Sequence, residues 1–139
     1  MAKGDPRLTE ASVLHHIGRL PHAKASFKQL VREFSIKGGA RVELDRILTR
    51  LAERGEVIEL KTDQYVVAGK SREYSVGKLN MHRDGFGFVV PEKAIEGMRG
   101  DIYVSPDNAT EAMHGDRVVA RITFIDRGGK AEGEIVRIL

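Results

Sequence analysis

The most constraining feature of this sequence is a change in the spacing of its apolar residues near position 70. Up to that point they recur every three or four positions, the period of amphipathic helices. Beyond it they alternate and are separated by glycine-containing turns, as in short β-strands. The change falls at the short polar segment 68–71. We therefore predict an α+β chain of two domains, residues 1–70 and residues 71–139.

The first domain is predicted to contain three helices and a β-hairpin. Pro21 ends the first helix, Ser26 and Gln29 form a capping box for the second, and Gly55 is the left-handed residue that ends the third. The second helix has an apolar stripe of Phe27, Leu30, Val31 and Phe34. The expected elements are helices from Thr9 or Glu10 to Leu20, from Ser26 and from Ala40 to Arg54, then strands at 56–61 and 64–67 joined by a turn at Thr62-Asp63. This order is that of a winged helix-turn-helix domain.

Arginines on the third predicted helix are candidate phosphate contacts. Arg46, Arg50 and Arg54 recur at every fourth position away from the apolar stripe, and Arg41 lies at the start of the helix. Residues 1–70 hold 13 basic and 9 acidic side chains, whereas residues 71–139 hold 10 and 11. The positive charge therefore favours contact of this helix with nucleic acid. Acidic residues lie between the arginines, so the pattern also fits ion pairs on a solvated helix, or a protein-docking module.

The second domain is predicted to be a five-stranded β-barrel of the OB-fold type. Glycine-containing turns separate five short segments of alternating pattern within about seventy residues, the size of an OB-fold. The predicted strands are Tyr74–Met81, Gly85–Val90, Asp101–Ser105, Asp116–Phe124 and Ala131–Leu139.

Two of these strands carry aromatic residues with a spacing that predicts a binding surface. Phe86 and Phe88 are two positions apart and therefore share one face of a strand. If Val89 and Ile102 point inward, Tyr103 joins the two rings on the outer face; in the reverse arrangement the phenylalanines belong to the core. Cationic or polar side chains flank this patch at Lys78, His82 and Arg83. Exposed rings beside cations are typical of proteins that bind single-stranded nucleic acid.

Several kinds of site are not expected in this sequence. It has no cysteine, and no histidine has the spacing of a zinc ligand, so we expect no metal site and no thiol chemistry. The aspartates are dispersed among predicted turns and strand ends, and no catalytic residue is identified. No apolar run approaches the ~20 residues of a membrane span. We expect a cytoplasmic protein with no membrane partner.

A longer set of motifs in the second domain resembles the first cold-shock domain of the ribonuclease II family of exoribonucleases. The matching motifs are Gly77-Lys78, His82-Arg83-Asp84-Gly85-Phe86-Gly87-Phe88, Asp101-Ile102-Tyr103-Val104-Ser105, Ala112-Met113-His114-Gly115-Asp116-Arg117-Val118 and Glu132-Gly133-Glu134-Ile135-Val136. The resemblance implies a winged helix before this domain. It also implies a later magnesium-dependent domain, lined by aspartates, that cuts RNA from its 3′ end. The chain is then expected to be an N-terminal fragment that guides single-stranded or structured RNA without cutting it, and that holds no cofactor.

Two other interpretations remain open at the level of the sequence. In the first, the chain is a non-enzymatic regulator whose winged helix binds duplex DNA. In the second, the winged helix is an autoinhibitory or partner-docking module.

The position two residues after Tyr103 is Ser105, where cold-shock proteins often carry a stacking histidine, so the affinity for bases is expected to be modest.

Overall fold

The computed structural model describes residues 8–60 and 63–139, which form two compact units. The boundary between the units lies between Val67 and Ala68. We call the units the helical unit and the barrel, and each is described by itself. No helix in the described part of the chain is long and apolar enough to cross a membrane.

The helical unit combines three helices with a three-stranded antiparallel sheet. Its elements are α1 (Glu10–Arg19), β1 (Lys24–Ser26), α2 (Phe27–Glu33), α3 (Ala40–Glu53), β2 (Val57–Leu60) and β3 (Gln64–Val67). The strand order is β1-β3-β2. The three predicted helices and the two hairpin strands are present, but β1 was not predicted. Its three residues are too few to show a period of two, and its pairing with β3 is visible only in the structure. The predicted turn residue Thr62 lies outside the described residues.

The helix ends in this unit are fixed by local hydrogen bonds. The Thr9 side chain accepts from the Ser12 N–H (3.0 Å), and Ser12 Oγ accepts from the Thr9 N–H (2.9 Å). Ser26 Oγ caps α2 by accepting from the Gln29 N–H (3.0 Å). The reciprocal half of the predicted capping box is wrong: only the Ser26 bond is found, and the Gln29 side-chain NH2 group donates to Glu33, one turn further along α2 (3.0 Å).

The core of the helical unit is built from the apolar stripes of its helices. Leu30 is fully buried on α2, whereas its predicted companions Phe27, Val31 and Phe34 are only partly buried and pack against the edge of this core. Gly55, at φ 74°, ends α3 as predicted. The other fully buried residues of the helices are Val13, Ile17, Leu44, Ile47, Leu48 and Leu51.

The second unit is a closed five-stranded barrel, as the alternating sequence pattern predicts. Its strands are β4 (Tyr74–Met81), β5 (Gly87–Pro91), β6 (Ile102–Val104), β7 (Arg117–Ile125) and β8 (Ala131–Ile138). They are hydrogen-bonded in the order β4-β5-β6-β8-β7, and β7 closes on β4. Only the β6–β8 pair is parallel among these neighbours. The predicted strand ends differ most at β5, because Gly85 adopts φ 94° and lies in the preceding turn.

A bidentate ion pair joins the segment after β5 to the start of β7. Arg117 donates to both carboxylate oxygens of Glu92, at 2.6 and 2.9 Å. These hydrogen bonds hold the pKa of Glu92 below its ordinary value of 4.5. A carboxylate with a lowered pKa stabilises the folded state above the unfolded pKa, and that contribution is lost as the pH falls through the folded pKa.

We expect Glu92→Gln to lower the stability of the barrel at pH 7 by about 0.5 kcal/mol, a small value because both side chains are more than one-third exposed. The difference from wild type should shrink as the pH falls below about 4.5, the ordinary value for this carboxyl group. Urea unfolding, followed by NMR at the amide resonances of the barrel, measures the difference in the free energy of unfolding between the variant and wild type. The control is Glu111→Gln, which removes an exposed carboxylate with no ion pair among the described residues. A difference that stays constant from pH 7 to about pH 3 contradicts the linkage.

Candidate nucleic-acid interface

Strands β5 and β6 place their aromatic side chains on the outer face of the barrel. Val89 is fully buried, whereas Phe88 is 39% exposed. On β6, Ile102 and Val104 point into the core. Tyr103, between them, is paired with Phe88 on β5, and both side chains lie on the outer face. The alternation along both strands is that expected from the sequence, and the reverse arrangement is not found.

Three rings on this outer face form one cluster. The ring centroids are 6.0 Å apart for Phe86 and Phe88, 5.7 Å for Phe88 and Tyr103, and 5.9 Å for Phe86 and Tyr103. The two contacts of Phe88 are edge-to-face, an arrangement favoured by the ring quadrupoles. The cluster is therefore held in place by its own contacts and offers ring surfaces in several orientations.

His82 is part of the same cluster. Its ring stacks on Phe86 with the centroids 4.4 Å apart and the planes 9° from parallel. The turn between β4 and β5 fixes this position, because the His82 N–H donates to the Phe86 carbonyl (2.7 Å) and the Asp84 N–H donates to His82 Nδ1 (3.2 Å). One face of Phe86 is thus covered by the imidazole. Since the His82 side chain is 49% exposed, its ring is available as a stacking surface.

Two of the sequence-predicted cations lie beside this cluster. Lys78 is exposed on β4. It lies two positions from Asn80, the residue of β4 that is paired with Phe88. Arg83 is exposed in the turn that follows His82. Within residues 8–60 and 63–139, neither cation makes an ion pair. Both are therefore available to an anion that approaches the rings.

The predicted arginine stripe of α3 is divided by an ion-pair network with α1. Arg50 donates to Glu10 Oε2 (2.8 Å), and Arg54 binds the other oxygen of the same carboxylate and also Glu56. These bonds lower the pKa of Glu10 and raise that of Arg54. The alternative that these arginines form ion pairs within α3 is not found among the described residues, since Arg50 and Arg54 pair with Glu10 on α1 and Arg54 also pairs with Glu56. Positions four apart rotate by about 40° around a helix, which carries Arg50 and Arg54 towards α1 while Arg46 faces solvent.

The remaining arginines of the prediction, Arg41 and Arg46, make no ion pair in the described residues. Arg41 lines a shallow cavity of about 300 Å³ in the helical unit. The other residues that line this cavity are Phe27, Lys28, Val31 and Arg32. The helical unit therefore has exposed cations, but they are not arranged as the continuous stripe expected from the sequence.

The acidic side chains do not form a metal site in the part of the chain that the structure describes, where no three potential ligands converge. Asp116 accepts from the Met113 N–H (2.8 Å), and Asp126 accepts from the Lys130 N–H (2.9 Å). Both carboxylates stabilise turns. The described carboxylates do not fit a magnesium centre.

One exposed ring, that of Phe124 on β7, is not predicted by the sequence pattern. Ile122 is buried, so strict alternation predicts that Phe124 also points inward. A β-bulge between these two residues inserts Thr123 as an extra residue and turns Phe124 outward, where it is 57% exposed. No pattern in the sequence marks this bulge.

The barrel is similar to a known family of domains. Residues 77–138 match the family model described as the Ribonuclease B OB domain. The chain is 30% identical to ribonuclease R of Escherichia coli (strain K12), and equally to that of Shigella flexneri, over 128 residues or 91% of its length. Ribonuclease R of Acidithiobacillus ferrooxidans is 28% identical over 114 residues, 82% of the chain. The chain spans 15% of the length of the first two relatives and 25% of the third.

The matched range coincides with the closed barrel and includes the ring cluster on β5 and β6. The similarity to the relatives also extends into the helical unit, since it covers 128 residues and the barrel unit, Ala68–Leu139, has 72. Residues 77–138 are therefore similar to the Ribonuclease B OB domain, and the chain is similar to ribonuclease R over most of its own length.

Proposed function

We propose that the barrel binds single-stranded RNA on the outer face of β5 and β6. The observation that carries this proposal is the cluster of Phe86, Phe88 and Tyr103, extended by His82, on a surface that water reaches. Unpaired bases expose ring faces of similar size, and stacking of a base on an aromatic side chain contributes about 1–3 kcal/mol. Because every base has such a face, the binding tolerates many sequences.

In this proposal Lys78 and Arg83 contact the phosphates next to the stacked bases. Both cations are exposed beside the rings and lack protein partners among the described residues. Each phosphate contact releases condensed counterions from a single strand, so log K falls with log [salt] by about 0.7 for each contact.

We expect Lys78→Ala/Arg83→Ala to weaken binding of an unstructured RNA at low salt and to reduce the salt slope by about 1.4. Fluorescence anisotropy of the whole 139-residue chain at several salt concentrations measures the slope. The matched control is Lys93→Ala/Arg72→Ala, which removes two exposed cations from other loops of the barrel. An unchanged slope in the first variant contradicts a phosphate-binding role for Lys78 and Arg83.

We further propose that this RNA-binding chain serves a 3′→5′ exoribonuclease, and that it guides RNA towards a magnesium-dependent catalytic domain formed by other residues. The support is the similarity to three proteins named ribonuclease R, together with the absence of convergent acidic residues in the described part of the chain. Cleavage assisted by metal ions requires such carboxylates. In this view the chain contributes binding and orientation of the substrate.

For the helical unit we propose a winged helix that contacts structured or duplex regions of the same RNA. Three helices followed by a hairpin are in the order of that fold, and α3 carries Arg41 and Arg46, which make no ion pair within residues 8–60 and 63–139. A DNA-binding regulator is the competing function, and a protein-docking role is the third.

We expect Arg41→Ala/Arg46→Ala to weaken binding of an RNA hairpin several-fold and to leave binding of unstructured RNA nearly unchanged. Competition of both RNAs and a DNA duplex for the whole chain measures the preference. A preference for duplex DNA that this variant abolishes favours the regulator. If the variant changes none of the three affinities, the helical unit does not bind nucleic acid through α3, and docking of a protein is favoured.

A further inference from the structure

Phe124 lies in a row of side chains that crosses the outer face of the barrel. Phe88 is paired with Tyr103, Tyr103 with Glu132, and Glu132 with Phe124. Residues that are paired directly across neighbouring strands point to the same side of a sheet. The row therefore joins the ring cluster to a second exposed ring, and Glu132 lies between them.

The end of the row at Phe124 is close to three exposed cations. Ile125 and Ala131, the next pair after Phe124 and Glu132, close the strands onto a turn that contains Arg127 and Lys130. The third cation is Arg99, whose backbone N–H donates to the Gly129 carbonyl in this turn (2.7 Å). In the described chain none of the three makes an ion pair. Phe124 thus repeats the combination found at the main cluster, an exposed ring beside cations.

Glu132 differs from its neighbour Glu134 in its surroundings. Glu134 accepts from Arg121 (2.7 Å). The side chain of Glu132 is exposed, and among the described residues it has no ion pair. An unneutralised carboxylate repels phosphate, so an RNA strand that crosses this position must present a base to it. A carboxylate accepts hydrogen bonds from the exocyclic amino group of cytosine, whereas uracil carries a carbonyl oxygen at the same position.

We propose that Phe124 is a second base-stacking position for the same RNA strand, and that Glu132 selects a base with an amino group between the two stacking positions. This inference rests on the proposed RNA-binding function. Two strand spacings separate Tyr103 from Phe124, about 10 Å along the curved surface. At the ~3.4 Å spacing of a stacked strand this distance spans about three nucleotides, and it spans fewer when the bases are splayed apart. An RNA must therefore extend beyond the main cluster before Phe124 contributes.

The stacking position is tested by the length dependence of binding. We expect Phe124→Ala to weaken binding of an oligocytidylate of about 12 nucleotides by about fivefold, and to leave an oligomer of about 2 nucleotides, too short to reach from Tyr103 to Phe124, unaffected. The control is Val136→Ala, which truncates an exposed apolar side chain on β8 without removing a ring. Equal affinities of wild type and Phe124→Ala for the longer oligomer overturn the second stacking position.

The selection by Glu132 is tested by the ratio of two affinities. Wild type should bind oligocytidylate about fivefold more tightly than oligouridylate of the same length. Glu132→Gln should bring this ratio close to one, because an amide pairs with either base edge. Glu111→Gln removes the same charge from an exposed loop and should leave the ratio as in wild type. A ratio unchanged by Glu132→Gln overturns the selection.

The failure of this inference is distinguishable from the failure of the proposed function. If Phe86→Ala/Phe88→Ala weakens binding of both oligomers but Phe124→Ala weakens neither, the proposed function stands and the second position is wrong. If neither variant changes any affinity, both proposals are wrong.

Discussion

Phe86→Ala/Phe88→Ala is expected to weaken binding of unstructured RNA by about 30-fold. The two substitutions remove two rings of the cluster and the support on which His82 stacks, and a loss of about 2 kcal/mol corresponds to this factor. Anisotropy titration of the whole chain with labelled RNA measures the loss. The salt slope should stay close to that of wild type, because no phosphate contact is removed.

Val90→Ala is the matched control for this pair of substitutions. Val90 is exposed on the same strand to nearly the same extent as Phe88, 38% against 39%, but it has no ring. We expect its affinity to stay within about twofold of wild type, since it offers no stacking surface. Circular dichroism checks that the doubly substituted protein is folded. If it is folded and its affinity for RNA equals that of wild type, the proposed interface is contradicted.

Gly77→Ala is expected to destabilise the barrel by about 3 kcal/mol or more. Gly77 lies on β4 between β5 and β7, and a Cβ atom there would be 2.2 Å from the Val90 carbonyl oxygen and 2.8 Å from Val89 Cγ1. The first of these atoms belongs to the backbone, so the strands must separate to accommodate the methyl group. That separation acts on the same strand pair that positions Lys78 and Phe88.

Urea unfolding of the barrel measures this effect, and Gly128→Ala is its control. A Cβ at Gly128 would meet only an Asp126 side-chain oxygen, at 3.4 Å, which is an ordinary contact. We expect the control to remain within about 0.5 kcal/mol of wild type. A Gly77→Ala barrel with wild-type stability would show that β4 and β5 do not pack as the structure describes.

The ring cluster restricts how RNA binds in the proposed complex. His82 covers one face of Phe86, so that face is not available to a base, and the exposed imidazole takes its place as the outer stacking surface. The edge-to-face contacts of Phe88 leave ring faces at steep angles to one another. Bases bound here must therefore be splayed apart, which single-stranded RNA allows and a stacked duplex does not.

The outward direction of Phe86, Phe88 and Tyr103 could be predicted from the sequence because it depends on local geometry alone. Successive side chains of a strand alternate between its two faces, and the buried residues Val89 and Ile102 set which face is which. The end of α3 at Gly55 was equally predictable, since a left-handed residue after a helix favours glycine.

The strand β1 and the partners of the arginines could not be predicted in the same way. Glu10 and Arg50 are 40 positions apart in the chain, and their contact depends on how α1 and α3 pack. The acidic residues within α3 are nearer to these arginines in the sequence, but the packing of α1 against α3 places Glu10 within hydrogen-bonding distance of Arg50 and Arg54. β1 depends likewise on β3, which lies about 40 residues further along.

The sequence by itself determined the helices, the five barrel strands and the face that carries the main ring cluster. Each of these follows from a period or a turn residue that acts over a few neighbouring positions. Only the tertiary structure decided the stacking of His82 on Phe86, the pairing of Arg50 and Arg54 with Glu10, and the exposure of Phe124. These features depend on side-chain packing between distant segments and on one inserted residue in β7, for which the local sequence pattern carries no signal.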